Sequence, residues 1–407
     1  MTTSEQKWKR YYSKQLHLKE PWEVESYLPA DEEDEDTDII IRIDVPKGIQ
    51  MPCPECGRMC SIHDRKSRRW RDKDVGDSMC FIECDVPRTD CPEHGVLTVN
   101  VPWARPQVRY SRRFEDKVLS LAEKETVADV SRELRVHRSV VDACIHNRVK
   151  GILDKLDLSG LKRIHIDETS VRKGHHYVTI ISDAERKKIV FICEGRGVET
   201  LAEFRDWLIS HNGFPENILT VNMDMSRPYQ MGVRENLPNA VIVFDRFHVV
   251  QMANTILDRI RSKEQINGQR EKWIRYTLLK KRSNMDQEQL DKLFRIKEDN
   301  KVLGLAYEMK EAIIQLYDYP DKISAGMHIS RWFDWVLESG HREMKRLAKS
   351  VHNNLDGILS WFDSRTSNAF QEGLNSMIQT SKRMARGFAN VRNFIDVVWF
   401  KHSNISL

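Results

Sequence analysis

The chain has 407 residues, 31% of them charged and 40% hydrophobic, with a formal net charge of +4. That length suits two or three domains with separate cores. No apolar run approaches the roughly 18 residues of a membrane-spanning helix, so a helical span is excluded. Bulk charge this close to balance does not by itself argue for nucleic acid.

Charge distribution says more. An acidic run at residues 31–38 precedes a basic run at 58–73, and a second basic cluster lies at 382–386. Basic clusters on a balanced chain are one way to touch phosphates without aggregating, the alternative being solvated surface. Residues 1–50 are polar and acidic and read as an irregular acidic leader. Their opening, MTTSEQKWKR, lacks the apolar core of a secretory signal, which points to the cytoplasm, where thiols stay reduced.

Residues 51–105 are cysteine-rich and basic. Six of the eight cysteines fall between Cys53 and Cys91, and such bunching in a reducing compartment points to metal rather than disulfides. CPEC at Cys53–Cys56 and CPEH at Cys91–His94 are two knuckles of identical spacing. Together Cys53, Cys56, Cys91 and His94 supply the four ligands of a tetrahedral Zn²⁺. The 34 residues between the knuckles suit a ribbon of strands. Cys60, Cys80 and Cys84 stand as substitute ligands, Cys84 foremost. Arg65, Lys66, Arg68, Arg69 and Arg71 sit on the middle of the ribbon, and Arg68 and Arg69 are taken as phosphate contacts.

Residues 111–158 carry helical periodicity. Val127, Val130 and Leu134 share one face, Val136 falls in a short turn, and Val140, Val141, Ile145 and Val149 follow. Two short amphipathic helices around a tight turn make a helix-turn-helix pattern, although the turn lacks the common glycine. The second helix is expected to start near Arg138. It would turn Arg138, Ser139, Asp142, His146 and Arg148 outward, with Arg138, Ser139, His146 and Arg148 as DNA contacts.

From residue 162 to 248 strands and helices alternate, as an α/β domain requires. RIHIDE, HYVTIISD and KIVFICEG read as three strands, VETLAEFRDWLISH as a helix, and NILTVNMD and NAVIVFD as two more strands. The first strand ends in Asp167 and Glu168, with Arg172 and Lys173, expected DNA contacts, and His175 and His176 close behind, and NILTVNMD ends in Asp224. If those two strands are neighbours, Asp167 and Asp224 meet at adjacent strand ends. Two carboxylates so placed repel unless a divalent cation lies between them. Residues 249–365 show only helical patterns, with Trp273, Trp332, Trp335 and Trp361 as anchors, and read as an insertion. Residues 366–407 return in one last helix with a basic C-terminal segment. Glu372 lies opposite that helix's apolar Phe370 and Leu374, on a polar face with Asn368, Asn375 and Gln379. Lys382, Arg383 and Arg386 follow as expected phosphate contacts.

HIDETSVRKGHHYVTIISD, MDMSRPY, AVIVFDRFHVVQMAN and EGLNSMIQTSKRMARGFANVRNF closely resemble the DDE transposases of the ISL3 insertion-sequence family. CPEHG followed by VPWA matches that family's N-terminal zinc-binding region. The resemblance covers about residues 50–400, with the motifs in the expected order. It implies a multidomain α/β protein: a zinc ribbon, a helix-turn-helix and a ribonuclease H-like catalytic core interrupted by the helical insertion. It further implies Asp167, Asp224 and Glu372 as the catalytic triad, binding Mg²⁺ or Mn²⁺ for in-line phosphoryl transfer on DNA. Asp245 and His248 of DRFH become near-site residues, with a structural cap left open as the role of Asp245. The implied partners are double-stranded DNA, as terminal repeats and target, and a second copy of the chain. The implied location is the bacterial cytoplasm, on the nucleoid. A non-catalytic DNA-binding regulator of the same shape is the competing function.

Overall fold

The computed structural model describes residues 3–28, 38–171, 177–264, 272–365 and 369–403. It divides into two compact units, Met1–Arg148 and Val149–Leu407.

The first unit opens with helix α1 (Thr3–Gln15) and strands β1 (Glu23–Leu28), β2 (Ile39–Asp44), β3 (Gln50–Pro52), β4 (Met59–Val75), β5 (Ser78–Cys91) and β6 (Gly95–Thr98). The sheet runs β1-β2-β5-β4-β3, and β6 pairs with the end of β5. The long β4–β5 hairpin is its spine.

The expectation of an irregular leader is overturned for the described part of residues 1–50. Ile39, Ile41, Ile43 and Val45 are buried at every second position while Arg42 is exposed, the period of a half-buried strand. The acidic run just before it masks that alternation. Tyr12 of α1 and Leu16 just after it, with Trp22, close the same core against Trp70 and Ile82. Trp103 meets Trp22 and Trp70 edge-on, with centroids 5.1 and 5.4 Å away. Helices α2 (Arg112–Ala122), α3 (Val127–Glu133) and α4 (Arg138–Leu153) follow.

In the second unit the strands are β7 (Arg163–Ser170), β8 (Tyr177–Asp183), β9 (Lys188–Glu194), β10 (Thr220–Met223) and β11 (Val241–Phe244). Helix α5 (Val198–Ser210) precedes β10, and α6 (Arg227–Asn236) separates β10 from β11. Sheet order is β9-β8-β7-β10-β11. The first three strands form an antiparallel meander, and β10 and β11 lie parallel to β7. Helices α5 and α6 pack closely because Gly232 has no side chain: a Cβ there would stand 2.9 Å from the Cβ of Leu201.

After β11 all described elements are helical. They are α7 (Arg246–Lys263), α8 (Lys272–Leu279), α9 (Gln287–Asp299), α10 (Lys301–Gln315), α11 (Lys322–Glu338), α12 (Arg342–Asn353), α13 (Leu355–Leu359), α14 (Trp361–Ser364), α15 (Ala369–Ala385) and α16 (Val391–His402), with short 3-10 turns between some. Trp332 is their buried anchor and donates its indole N–H to Met309 O at 2.9 Å. Trp273 and Trp335 are each 37% exposed, so they are not the anchors expected of them. The chain also ends in two helices rather than one. α16 packs against β9 and buries Phe394, Val397, Val398 and Trp399.

Candidate functional site

The acidic centre is built by register. β10 pairs with β7 as Thr220 with Arg163 and Asn222 with His165, and with β11 as Thr220 with Val241 and Met223 with Phe244. Continuing both ladders sets Asp224 alongside Asp167 on one side and Asp245 on the other. Asp167 is the fifth residue of an eight-residue strand, not its end as expected. β7 runs on beside β8, whereas β10 stops at Met223, so Asp167 stands where the sheet splits.

Each carboxylate is held differently. Asp224 accepts from the Ser226 N–H at 2.9 Å, and Asp167 from the Glu168 N–H at 2.7 Å. Burial pushes the Asp167 carboxyl up from its usual range, Asn375 Nδ2 donates to Oδ2 and opposes this, His248 also draws it down, and Asp224 adds repulsion. Glu168 is raised by burial and by Asp224, with Arg196 3.6 Å away as a partial counterweight. Asp245 caps α7, accepting from the Phe247 N–H at 3.0 Å. A clustering of like charge with a half-buried member raised by desolvation is the environment that marks functional carboxylates.

α15 fastens to β7 through a polar stripe. Besides the Asn375 bond to Asp167, Gln379 donates to Thr169 Oγ1 at 2.7 Å, and Lys382 donates to Ser170 O. Ser182 of β8 donates to buried Gln371 at 2.8 Å. Between these, Leu374 and Ile378 are fully buried. Glu372 is exposed, three residues before Asn375. Gln371, Asn375 and Gln379 recur at intervals of four, so the stripe was available in the sequence. Its partners on β7 were not. Arg383 and Arg386 are exposed, and Arg386 lies past the helix with φ 52°. Arg172, Lys173, His175, His176 and Asn368 lie outside the described residues.

In the first unit Cys53, Cys56, Cys91 and His94 bring their ligand atoms within 4.8 Å of one another. Cys56 Sγ and Cys91 Sγ are 3.8 Å apart, and Cys91 Sγ is 3.6 Å from His94 Nδ1. A tetrahedron with Zn–S bonds of about 2.3 Å has S···S edges of about 3.8 Å. Gly57 and Gly95 follow the knuckles at φ 75° and 67°, the left-handed turn each needs. His94 beside it draws the Cys91 thiol down to about 6, favouring the thiolate that binds metal. Cys84 is not a substitute ligand. It and Cys80 are buried in the hydrophobic core with Trp70 and Ile82, and burial pushes both thiols up to about 12. Cys60 packs against the cluster instead, its Sγ 3.4 Å from Arg58 O.

Much of the ribbon's basic run is neutralised within the chain. Arg65 pairs with Asp44 at 2.7 Å and Arg69 with Asp38 at 2.8 Å, while Arg71 is buried beside Asp74. Arg68 is half-buried and has no ion pair among the described residues.

The turn between α3 and α4 is a Schellman motif. Val136 N–H donates to Ser131 O at 3.0 Å, Arg135 N–H to Arg132 O at 3.3 Å, and Arg135 adopts φ 53°. Arginine therefore stands where glycine is usual, and its guanidinium reaches Asp77 O at 2.7 Å on the β4–β5 turn. Val130, Leu134, Val141, Cys144, Ile145 and Val149 are buried. Arg138 and Ser139 are exposed at the start of α4, and His146 is half-exposed two turns on. Arg148 is also half-buried but lies seven residues from Val141, on that residue's side of the helix rather than that of Ser139.

A zinc cluster, a helix-turn-helix and an acid-bearing α/β unit with a helical block are the parts of a DNA-processing enzyme. Residues 164–398 match the ISL3 family described as "Transposase". Residues 99–149 match the helix-turn-helix domain of transposase family ISL3, and 49–94 the zinc finger of transposases IS204/IS1001/IS1096/IS1165. The chain belongs to the ISL3 family of transposases. Among its relatives is the transposase for insertion sequence element IS1001 of Bordetella parapertussis, 26% identical over 86% of this chain and 88% of that one. Another is the transposase for IS1557 of Mycobacterium tuberculosis, 27% identical over 88% and 87%. Among the described residues no helix is long and apolar enough to cross a membrane.

Proposed function

We propose that Asp167, Asp224 and Glu372 are the catalytic acids of a ribonuclease H-like core, interrupted between β11 and α15 by the helices α7 to α14. The observation that carries this reading is that Asp224, one residue past β10, and Asp167, within the neighbouring parallel strand β7, are near enough for Asp224 to raise the Asp167 carboxyl. Strand order supports it: three antiparallel strands, with two more parallel to the first on its far side. Glu372 comes from the helix that Asn375 ties to Asp167.

An all-oxygen set of carboxylates, two of them half-buried and repelling, fits a hard divalent cation such as Mg²⁺ or Mn²⁺. When bound, such cations polarise phosphoryl oxygens and offset the charge that develops during in-line displacement. The chain's own groups do the rest. Asn375 orients the Asp167 carboxylate. His248 stands beside it, and Asp245 fixes the first turn of α7 that carries His248. Lys382 and Arg383 on the last turn of the same helix, with Arg386 just past it, hold the DNA backbone. Arg138, Ser139 and His146 read the element's terminal repeats, and Arg68 adds a phosphate contact from the zinc ribbon. Zn²⁺ is held by Cys53, Cys56, Cys91 and His94. Two ends must be joined, so the working form is a homodimer on DNA, acting at the bacterial nucleoid.

The test is excision in cells, with the protein supplied in trans to its flanking DNA. Asp224→Asn is expected to lower excision product by at least about 10²-fold, the scale of losing a preorganised electrostatic group, while specific binding to the flanks persists. Wild-type levels of product from the mutant would remove Asp224 from the chemistry. Binding without product from either protein would favour a regulator.

A further inference from the structure

A groove runs along α7 away from the acids. Phe247, Gln251, Asn254, Thr255 and Arg259 line it on successive turns of α7, and Arg275 of α8 faces them across about 660 Å³. That volume is in the range of pockets that enclose a small ligand, enough for a nucleotide.

Phe247 stands at its head. It lies two residues past Asp245, whose backbone N–H bonds Met223 O at 3.3 Å beside Asp224. Half of its surface (50%) is exposed. Its ring meets His248 edge-on, centroids 5.7 Å apart, and that imidazole is near enough to draw the Asp167 carboxyl down. An apolar ring is thus left in water at the rim of a charged site.

Most of the groove's polar groups are paired, and two stand apart. Asn254 Oδ1 is buried and has no hydrogen-bond partner among the described residues. Asp258 engages Arg261 and Arg275 at 2.7 and 3.1 Å, and Glu343 holds Lys263. Arg259 is exposed and has no ion pair among the described residues. Aromatic face, amide and unpaired guanidinium are what an unpaired strand needs: a stacking platform, a base-edge partner and a phosphate contact.

We propose that Phe247 is a stacking residue for the base flanking the scissile phosphate, and that the α7 groove receives the strand unpaired there, with Arg259 on its backbone. The inference rests on Asp167 and Asp224 being the cleavage centre. Enzymes that work within a duplex must compensate for unstacking, and an aromatic face does so with little regard to sequence.

The test uses full-length Asp224→Asn protein, so that binding is read without chemistry, and duplexes carrying 2-aminopurine in turn at each nucleotide flanking the element's end. Fluorescence is expected to rise several-fold at one position on binding. The rise is lost in Phe247→Ala and Phe247→Leu and kept in Phe247→Trp, with affinity for the duplex changed less than about threefold. In the protein with Asp224 intact, Phe247→Ala should slow excision about ten- to a hundredfold, the range for losing one stacked base. An equal rise with and without the aromatic ring would overturn the proposal, as would no rise at any position. Failure of the acid assignment would appear separately, as Asp224→Asn protein that still excises.

Discussion

Asp167 is held between opposing influences, and the balance predicts its effect on stability. Its folded carboxyl titrates above the usual carboxylate range, chiefly through burial. A raised carboxyl costs nothing while both folded and unfolded states are protonated. The cost appears as pH rises through the interval from the unfolded to the folded value. At pH 7 without divalent cation, Asp167→Asn should therefore melt at a higher temperature than wild type. The new amide oxygen can still accept from the Glu168 N–H, and the new amide N–H can donate to Asn375 Oδ1 once that side chain turns over. The gap should close as pH falls toward about 4, where the unfolded carboxylate also protonates. Added Mg²⁺ should raise the wild-type Tm and leave the mutant's unchanged, by selective binding to the folded state. A mutant less stable than wild type at neutral pH would show the carboxylate to be structural. The sequence disclosed the acids. It did not disclose that Asn375, 208 residues away, would hold one of them.

At the scale of elements, the turn between α3 and α4 shows how a missing sequence signal can mislead. Glycine is expected where φ is positive, and Arg135 takes φ 53° instead. An L-residue in that conformation costs roughly 1–2 kcal/mol. The guanidinium bonds to Asp77 O and Asp74 offset this. Arg135→Gly should consequently leave the unfolding free energy of the first unit within about 0.5 kcal/mol of wild type. Arg135→Val, β-branched and without the bonds, should cost about 2 kcal/mol. Urea denaturation followed by far-UV circular dichroism would read both; equal losses would mean the backbone strain is not the governing term. β2 is the converse case. Its alternation of Ile39, Ile41 and Ile43 was present but hidden behind an acidic run that suggested an irregular leader. α15 carries a legible four-residue stripe, yet its polarity looked like a solvated face until the sheet supplied Thr169 and Ser182 as partners.

For the whole molecule, the division into two units makes zinc a local requirement. The Cys53, Cys56, Cys91 and His94 cluster lies in the first unit, and the acids in the second. Zinc-site formation in small domains is worth on the order of 10 kcal/mol. Purified protein should carry one zinc per chain. A strong chelator should lower the melting transition of the first unit and abolish specific DNA binding, leaving the helical melting of the second unit in place. Loss of both transitions together would mean the units fold as one. Sequence alone determined the order of these parts, the Cys53, Cys56, Cys91 and His94 cluster, the five strands of the second unit and the family. Each is written in spacing or periodicity over short stretches of chain, where local geometry leaves few alternatives. Only tertiary structure decided which acids are neighbours, which arginines are neutralised in cis, and that Cys84 faces a hydrophobic core. Those outcomes depend on strand register and on which face packs inward, and both are set by contacts between residues far apart in the chain.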